Sequence, residues 1–288
     1  SDFSNIQTGQ NYCFDIQASN SITVEFIRCN FKNCKAALYI IRNTVDTIEI
    51  DSCNITFDNS DSACGAVKCG KIGFIARNSM FIRTKATGAL KIAQSSNPGQ
   101  VLLENLLFDE CVGSNCRCLD FSLYTTDFVF RNNVFQHMQA SGNRGYFLSI
   151  SLNDNNREIL FDNITFQHNT CNSDYGGGSG IWITDVGKIK FLNCHFIGNV
   201  ATKSPEGRDK YPTEPIERIY YTGDGGAVQY GFSDTIYNVD MEFDGCEFVD
   251  NGAVRHGGAL ALQTIKNVII TNCAFRNNRA NHVFTESR

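Results

Sequence analysis

Apolar and polar residues alternate along this chain in short runs that recur in one pattern: apolar-x-apolar-x-(Asn or Gly)-Cys-x-Phe-x-x-Asn-x-Ala. Clear copies begin at Ile189, Met241 and Val268. The aromatic or apolar residue before x-x-Asn marks each copy, and most marks are about 24 to 31 residues apart, within the range of solenoid repeats. The marks are Phe31, Ile55, Phe81, Phe108, Phe135, Phe166, Phe196, Phe248 and Phe275.

A second alternating run follows a turn of small residues in each copy. Alternation over so few residues predicts half-buried strands, and helical spacing is not sustained anywhere. The Leu-x-x-Leu-x-Leu frame of leucine-rich repeats is also absent. The pattern predicts an all-β parallel β-helix of about nine coils, a single domain over 1–288 that is roughly 40 Å long. The second runs lie at 37–40, 65–67, 88–92, 118–121, 146–150, 180–183, 225–228 and 257–260.

Stacked coils place like residues above one another. We expect the Phe marks and the Ile and Val positions to form apolar columns inside the coil. We also expect the Asn residues that precede the Cys position to point inward as an amide ladder whose members satisfy one another. These residues are Asn78, Asn132, Asn163, Asn193 and Asn272.

The pairing of Gly-Gly-Ala-(Val or Leu), at 225–228 and 257–260, with Phe-x-x-Asn, at Phe166, Phe196, Phe248 and Phe275, resembles a known repeat. It is similar to the repeats of the polymorphic outer-membrane proteins of chlamydiae and of Pmp-like surface proteins of some protists. The likeness is strong from about 160 to 280 and degenerate before that. It implies a right-handed, single-stranded parallel β-helix on a cell surface, with adhesion as the usual role and no catalytic residues. In the degenerate half the Asn position holds Cys34, Thr84, Cys111 and Met138.

The chain has 13 cysteines, more than an average cytosolic domain. Those at one repeat position, where Ser79 fills a gap, are interpreted as an internal column of small buried residues: Cys29, Cys53, Cys194, Cys246 and Cys273. Turn cysteines are candidates for disulfides, whose pairing the spacing leaves open: Cys34, Cys64, Cys111, Cys116 and Cys118. Zinc is disfavoured because Cys116-Arg117-Cys118 has no second ligand pair, and no cofactor is expected.

Two sequons, beginning at Asn54 and Asn163, are candidate glycosylation sites and weak signs of secretion. The repeat places Asn54 outward, directly after Cys53, and Asn163 at the inward Asn position. Asn54 is therefore the better candidate.

The long step between Phe196 and Phe248 contains an insertion at about 202–224. Insertions in repeats map to binding faces, and Tyr and Arg are favoured contact residues. A tolerated excursion without a function is the alternative. With Tyr175 from the adjacent segment, the candidate interaction loop comprises Lys203, Arg208, Lys210, Tyr211, Arg218, Tyr220 and Tyr221.

The net charge of −5 comes without a basic stripe, so nucleic acid is a poor candidate partner. No apolar run approaches the length of about 18 residues that a membrane span needs. The last copy stops just after Ala280 without a polar cap. We expect the array to continue through more sequence or through a stacked neighbour.

Parallel β-helices often carry polysaccharide lyases and hydrolases, and the best outward acidic group here is Asp244, Glu247 and Asp250. It is interpreted as a solvated outer face, because the sequence marks of polygalacturonases and pectate lyases are missing. The main hypothesis is a non-enzymatic extracellular or cell-surface protein, an adhesin or structural rod that contacts a host or neighbouring surface protein or glycan. Alternatives are a filament subunit that forms homo-oligomers by end-to-end stacking, and a carbohydrate-active enzyme.

Overall fold

The protein is a parallel β-solenoid without helices in the part of the chain that the computed structural model describes. Its strands are numbered β1 to β31 in chain order, and every pairing between them is parallel. The described residues are 1–4, 22–32, 38–40, 45–56, 67–70, 73–84, 90–93, 100–114, 117–122, 128–142, 146–173, 181–203, 225–230, 239–254, 256–262 and 265–280.

One face of the solenoid, here called sheet A, is a ladder of ten three-residue strands. Successive strands pair in register, so that the central residues lie above one another. Each of the marks read from the sequence is the central residue of one of these strands, which confirms the predicted stacking. The strands are β1 (Asp2–Ser4), β3 (Asn30–Lys32), β6 (Asn54–Thr56), β9 (Met80–Ile82), β12 (Leu107–Asp109), β16 (Val134–Gln136), β19 (Thr165–Gln167), β22 (His195–Ile197), β26 (Glu247–Val249) and β30 (Ala274–Arg276).

Sheet B has 13 strands in two adjoining columns, which become continuous where the long strands β18 and β21 belong to both. One column contains strands of the first alternating run and the other contains strands of the second. The strands are β2 (Ile22–Ile27), β4 (Leu38–Ile40), β5 (Val45–Asp51), β7 (Val67–Gly70), β8 (Gly73–Arg77), β10 (Leu90–Ala93), β11 (Val101–Glu104), β14 (Arg117–Ser122), β15 (Phe128–Arg131), β18 (Tyr146–Asp162), β21 (Ile181–Leu192), β25 (Asp240–Asp244) and β29 (Asn267–Thr271).

Two smaller sheets complete the coil. Sheet C contains β13 (Val112–Ser114), β17 (Gln139–Gly142), β20 (Thr170–Ser173), β23 (Val200–Lys203), β27 (Gly252–Ala253) and β31 (Arg279–Ala280). Sheet D pairs β24 (Val228–Tyr230) with β28 (Leu260–Leu262). Every one of the second alternating runs overlaps a strand of sheet B or sheet D, as predicted.

The core consists of stacked columns, as the repeat predicted. Phe108 lies on Phe135 with ring centroids 4.8 Å apart, and Phe196 lies on Phe248 at the same 4.8 Å. Sheet B contributes a second aromatic column, and the two columns touch edge to face, as Phe191 does with Phe196 at 5.8 Å. Aromatic pairs of these geometries contribute about 0.5–1.5 kcal/mol each beyond the area that they bury.

The corner between sheets B and A is one residue in the left-handed region, and this corrects the prediction for the Asn residues before the Cys position. Asn78, Asn132, Asn163, Asn193 and Asn272 have φ of 50° to 54° and are exposed. Asn tolerates this conformation better than most residues do. A left-handed residue breaks the alternation, so that the corner side chain points outward and the next residue points inward. An amide ladder does form, but on the outside, for example from Asn163 Nδ2 to Asn132 Oδ1 at 2.9 Å.

Candidate interaction surface

The repeated cysteines lie inside the solenoid, in the column directly after the first corner. Their thiols donate to carbonyls one coil back, as Cys53 Sγ does to Phe26 O at 3.2 Å and Cys194 Sγ to Phe161 O at 3.4 Å. Burial raises the pKa of both thiols, which keeps their protons available for donation. These cysteines are free thiols, so the predicted internal column is confirmed. Its members are Cys29, Cys53, Ser79, Leu106, Asn133, Ile164, Cys194, Cys246 and the partly buried Cys273.

A second buried column holds the Asn of Phe-x-x-Asn, and each amide there satisfies two main-chain groups of the coil before it. Asn199 Nδ2 donates to Phe166 O at 2.9 Å, and Asn199 Oδ1 accepts from the N–H of Asn169 at 3.2 Å. Asn251 repeats both bonds one coil later, at 2.8 and 3.0 Å. The sequence reading did not assign these roles, although the constant spacing from Phe to Asn was their signal. The column comprises Thr84, Cys111, Met138, Asn169, Asn199, Asn251 and Asn278.

The Gly-Gly pairs, like the Cys and Asn columns, serve the packing of one coil on the next. Gly225 and Gly257 have φ of +65° and +60°, where residues with a Cβ are disfavoured. The second glycine of the first pair packs against the next coil, because a Cβ on Gly226 would lie 1.9 Å from Gly258 O. Main-chain bonds from Gly226 N to Gly257 O and from Ala227 N to Ala259 O, at 2.9 and 2.8 Å, join the two copies.

The outer face of sheet B carries a ladder of alternating charges that ties successive coils together. Arg77 contacts Glu49 at 3.0 Å and Glu104 at 3.9 Å. Arg131 contacts Glu104 at 4.0 Å and Asp162 at 3.1 Å. Such partly exposed pairs contribute up to about 1 kcal/mol each, and opposite charges in facing positions disfavour a slipped register.

The three acidic residues predicted to be outward lie on one coil, but each occupies a different part of it. Asp244 ends a strand of sheet B, Glu247 lies on the outer face of sheet A, and Asp250 is the left-handed corner between sheets A and C. The side chains of Thr271 and Asn272 donate to Asp244 Oδ1 at 2.9 and 2.8 Å. These bonds, that from Asn272 above all, lower the pKa of the Asp244 carboxyl.

Glu247 lies between His195 and Arg276, which belong to the two neighbouring coils. Its Oε2 lies 3.3 Å from His195 Nδ1, and its Oε1 lies 3.3 Å from Arg276 Nη2. The carboxylates of Asp244 and Glu247 thus contact groups of adjacent coils, as the ion pairs of sheet B do. These contacts fit a role in holding neighbouring coils together better than a pair of carboxylates that act as catalytic acid and base.

The candidate interaction loop begins where the described chain leaves sheet C. Lys203 is the last residue of β23, and the chain re-enters the described structure at Gly225, just before β24. In the parallel register Lys203 lies beside Ser173, the last residue of β20. The segment with Tyr175 and the insertion therefore follow directly on paired residues of two neighbouring strands of sheet C. Tyr175, Arg208, Lys210, Tyr211, Arg218, Tyr220 and Tyr221, like the Lys203 side chain, lie outside the described residues.

Gln229 lies close to the point where the insertion rejoins the solenoid. Its side chain is buried, and among the described residues neither its Nε2 nor its Oε1 has a hydrogen-bond partner. A buried amide without partners costs about 1–3 kcal/mol for each group left unsatisfied. Near the C-terminal end of the insertion, the Gln229 side-chain amide thus has no partner among the described residues of the repeat.

The asparagines of the two sequons differ in their exposure. Asn54 lies half-buried in β6, and its Oδ1 accepts from the Thr56 hydroxyl at 2.8 Å. Asn163 is exposed at a corner rather than inward. The predicted inward position of Asn163 was wrong, so the reason for preferring Asn54 no longer holds, and both residues stay candidates.

The disulfide candidates are largely beyond the described structure. Cys34, Cys64 and Cys116 lie outside the described residues, and so does the side chain of Cys118. Cys111 belongs to the buried Asn column, where its Sγ donates to Phe81 O at 3.4 Å. Burial raises the pKa of the Cys111 thiol to about 11. The disulfide pairing stays a prediction.

These features define the class of protein: a parallel β-solenoid whose repeated Cys, Phe and Asn residues form internal columns. Within the described ranges, no cluster of three or more His, Cys, Asp or Glu side chains is arranged to hold a metal ion. The same ranges contain no helix of the length and apolarity needed to cross a bilayer. Comparison with protein-family models and with curated protein sequences finds no match.

Proposed function

We propose that this protein is a non-enzymatic extracellular or cell-surface β-solenoid that acts as an adhesin or structural rod, as expected of the Pmp-like proteins that its repeat resembles. It presents the loops that leave sheet C to a host or neighbouring surface protein or to a glycan. The observation that carries the proposal is the register of Ser173 beside Lys203, because it starts both loops from adjacent rungs.

The assignment of the repeated residues supports the same conclusion. Cys194, Phe196 and Asn199 have structural partners one coil away, so their recurrence needs no chemistry to explain it. The insertion is different, because it lengthens the step between Phe196 and Phe248 and has no counterpart in the other copies of the repeat. A rigid rod with a long loop at one corner is a common way to present a binding segment.

Binding by a loop-replaced variant tests the proposal. Residues 204–221 are exchanged for a short Gly/Ser linker, and binding is measured by biolayer interferometry on pectin, alginate, heparan sulfate, fibronectin and collagen. We expect the parent to bind at least one of these surfaces and the variant to lose at least about tenfold in affinity, the equivalent of about 1.4 kcal/mol.

The matched control is Leu107→Arg, which places a charge on the outer face of sheet A and leaves the loops intact; its binding is expected to be unchanged. Circular dichroism verifies that both variants keep the fold. Equal binding by the loop-replaced variant would remove the loop from the proposal. Turnover of any of the polysaccharides in the presence of Ca²⁺ would contradict the non-enzymatic assignment.

A further inference from the structure

Two histidines from neighbouring coils form a stacked pair on the outer surface of the solenoid. His137 and His168 directly follow Gln136 and Gln167, which pair in register, and the N–H of His137 donates to Gln167 O at 3.2 Å. The imidazole rings are nearly parallel, at 8°, with their centroids 5.9 Å apart. Both side chains are exposed. The coil thus brings together two imidazoles that are far apart in the sequence.

The backbone at this place does not require histidine. His137 and His168 are left-handed corner residues between sheets A and C, with φ of 51° and 53°. In other coils the same corner is occupied by Arg83, Glu110, Gly198, Asp250 and Asn277. The next corner residue, Gly198, leaves room for the His168 ring, because a Cβ there would lie 2.6 Å from His168 Nδ1.

A carboxylate orients one of the two rings. His137 Nδ1 lies 2.9 Å from Asp109 Oδ1, so Nδ1–H donates to the carboxylate and Nε2 keeps its lone pair. Histidines that bind metals commonly donate their other ring N–H to a carboxylate in this way. Among the described residues, Nε2 of neither ring makes a hydrogen bond or an ion pair.

The spacing of the pair suits a shared metal ion. Two histidines at i and i+4 of a helix bind zinc although their Cβ atoms are about 5–6 Å apart. Neighbouring strands of a sheet are about 4.7–4.9 Å apart, which is no farther. The two nitrogens must approach an ion to about 2.0–2.1 Å each, and exposed side chains reach this by small rotations of their rings toward each other.

We propose that His137 and His168 form a surface site for a divalent transition-metal ion such as Zn²⁺ or Ni²⁺. One nitrogen of each imidazole binds the ion, water completes its coordination, and Asp109 is a positioning residue that acts through His137. Imidazole is a preferred ligand of these ions. The inference does not rest on the proposed function, because no residue of the candidate interaction loop takes part in the site.

Isothermal titration of the full chain with NiCl₂, and separately with ZnCl₂, measures the binding. His137→Asn and His168→Asn remove one imidazole each, and Asn tolerates the left-handed corner that Asn277 also occupies. We expect each variant to lose at least about tenfold in affinity, the equivalent of about 1.4 kcal/mol. The double variant should lose the site.

His195→Asn is the matched control. His195 also lies beside a carboxylate, with its Nδ1 3.3 Å from Glu247 Oε2, but its neighbours in the strand ladder are Thr165 and Glu247 rather than a second histidine. Its removal should leave the affinity unchanged. Circular dichroism verifies that all of the variants keep the fold.

Two further measurements separate metal binding from a structural role. Zn²⁺ should protect His137 and His168, but not His195, from diethyl pyrocarbonate, as read by mass spectrometry of the peptides. Asp109→Ala should weaken binding about 10–100-fold, the range for residues that orient metal ligands. Asp109→Asn, which keeps an oxygen acceptor for Nδ1–H, should retain more of the affinity.

Three outcomes would overturn the proposal. The first is the absence of saturable binding of either ion up to about 1 mM. The second is unchanged binding by the double variant, which would place the ion elsewhere, for example on cysteines. The third is an equal loss of affinity in His195→Asn and His137→Asn, which would mean that single surface imidazoles account for the binding.

Discussion

At the scale of the residue, the left-handed residue at the corner between sheets B and A decides which neighbouring side chains face the core. Phe191 and Cys194, on either side of this corner, both lie inside, as the repeat predicts. Asn193, between them, was expected inside and is exposed, because its left-handed φ of 52° inserts one residue into the alternation. Alternation alone does not reveal such a corner. The signal that was available is the preference of Asn for the left-handed region, which this corner uses repeatedly.

The buried Asn column provides the sharpest test at this scale. Asn199→Ala leaves the Asn169 N–H and Phe166 O without their partners inside the solenoid. We expect a loss of about 2–6 kcal/mol in the free energy of unfolding, since each such group costs about 1–3 kcal/mol. Urea denaturation followed by circular dichroism measures the loss.

Asn199→Cys is the matched control, because the column already holds Cys111, whose thiol donates to the corresponding carbonyl, Phe81 O, at 3.4 Å. Its loss should be clearly smaller than that of Asn199→Ala. Equal losses for the two variants would mean that side-chain volume, not hydrogen bonding, makes this position important.

At the scale of the element, the paired glycines explain why sheet D forms where it does. A Cβ at Gly226 would also lie 2.8 Å from the N and O atoms of Gly252, all of them main-chain atoms that cannot rotate away. The sequence predicts the repeat unit, because Gly-Gly-Ala stands before a strand in both copies. It does not predict how closely neighbouring coils approach each other, because the spacing of residues within one copy gives no distance between coils.

Gly226→Ala should therefore destabilise the protein by about 1–3 kcal/mol or more, the range of overpacked cores. Gly252→Ala is the matched control. Its Cβ would meet only Val200 side-chain carbons at 3.9 Å, an ordinary contact, and the lost flexibility of the unfolded chain should make it neutral or stabilising by up to about 1 kcal/mol. Thermal unfolding of the two variants compares them directly. A Gly226→Ala protein as stable as the parent would show that β24 and β28 can separate without cost.

At the scale of the whole molecule, the strands that the structure describes pair only with those of neighbouring coils, so the sequence period sufficed to predict the architecture. The candidate interaction loop is the opposite case. Its composition singled it out, but it has no counterpart in the other copies, so the repeat does not predict its structure. What the structure adds is where the loop is anchored, at Lys203 beside Ser173.

A stack held by nearest-neighbour contacts opens most readily from its ends. The free thiols report this opening, because Cys194 and Cys246 lie inside consecutive coils and the partly buried Cys273 lies in the last described coil. Burial raises the pKa of Cys273 as well as that of Cys194, so exposure rather than a low pKa should govern alkylation. In a pulse of N-ethylmaleimide read by mass spectrometry, we expect Cys273 to react first and Cys194 at least about tenfold more slowly.

The same labelling separates local from global opening. Adding urea below the unfolding transition should accelerate Cys273 before Cys194 and Cys246, because removing one coil at the end leaves the neighbouring coil intact. If all three thiols react at one rate in every condition, the solenoid opens as a single unit, and nearest-neighbour stacking is not what limits its stability.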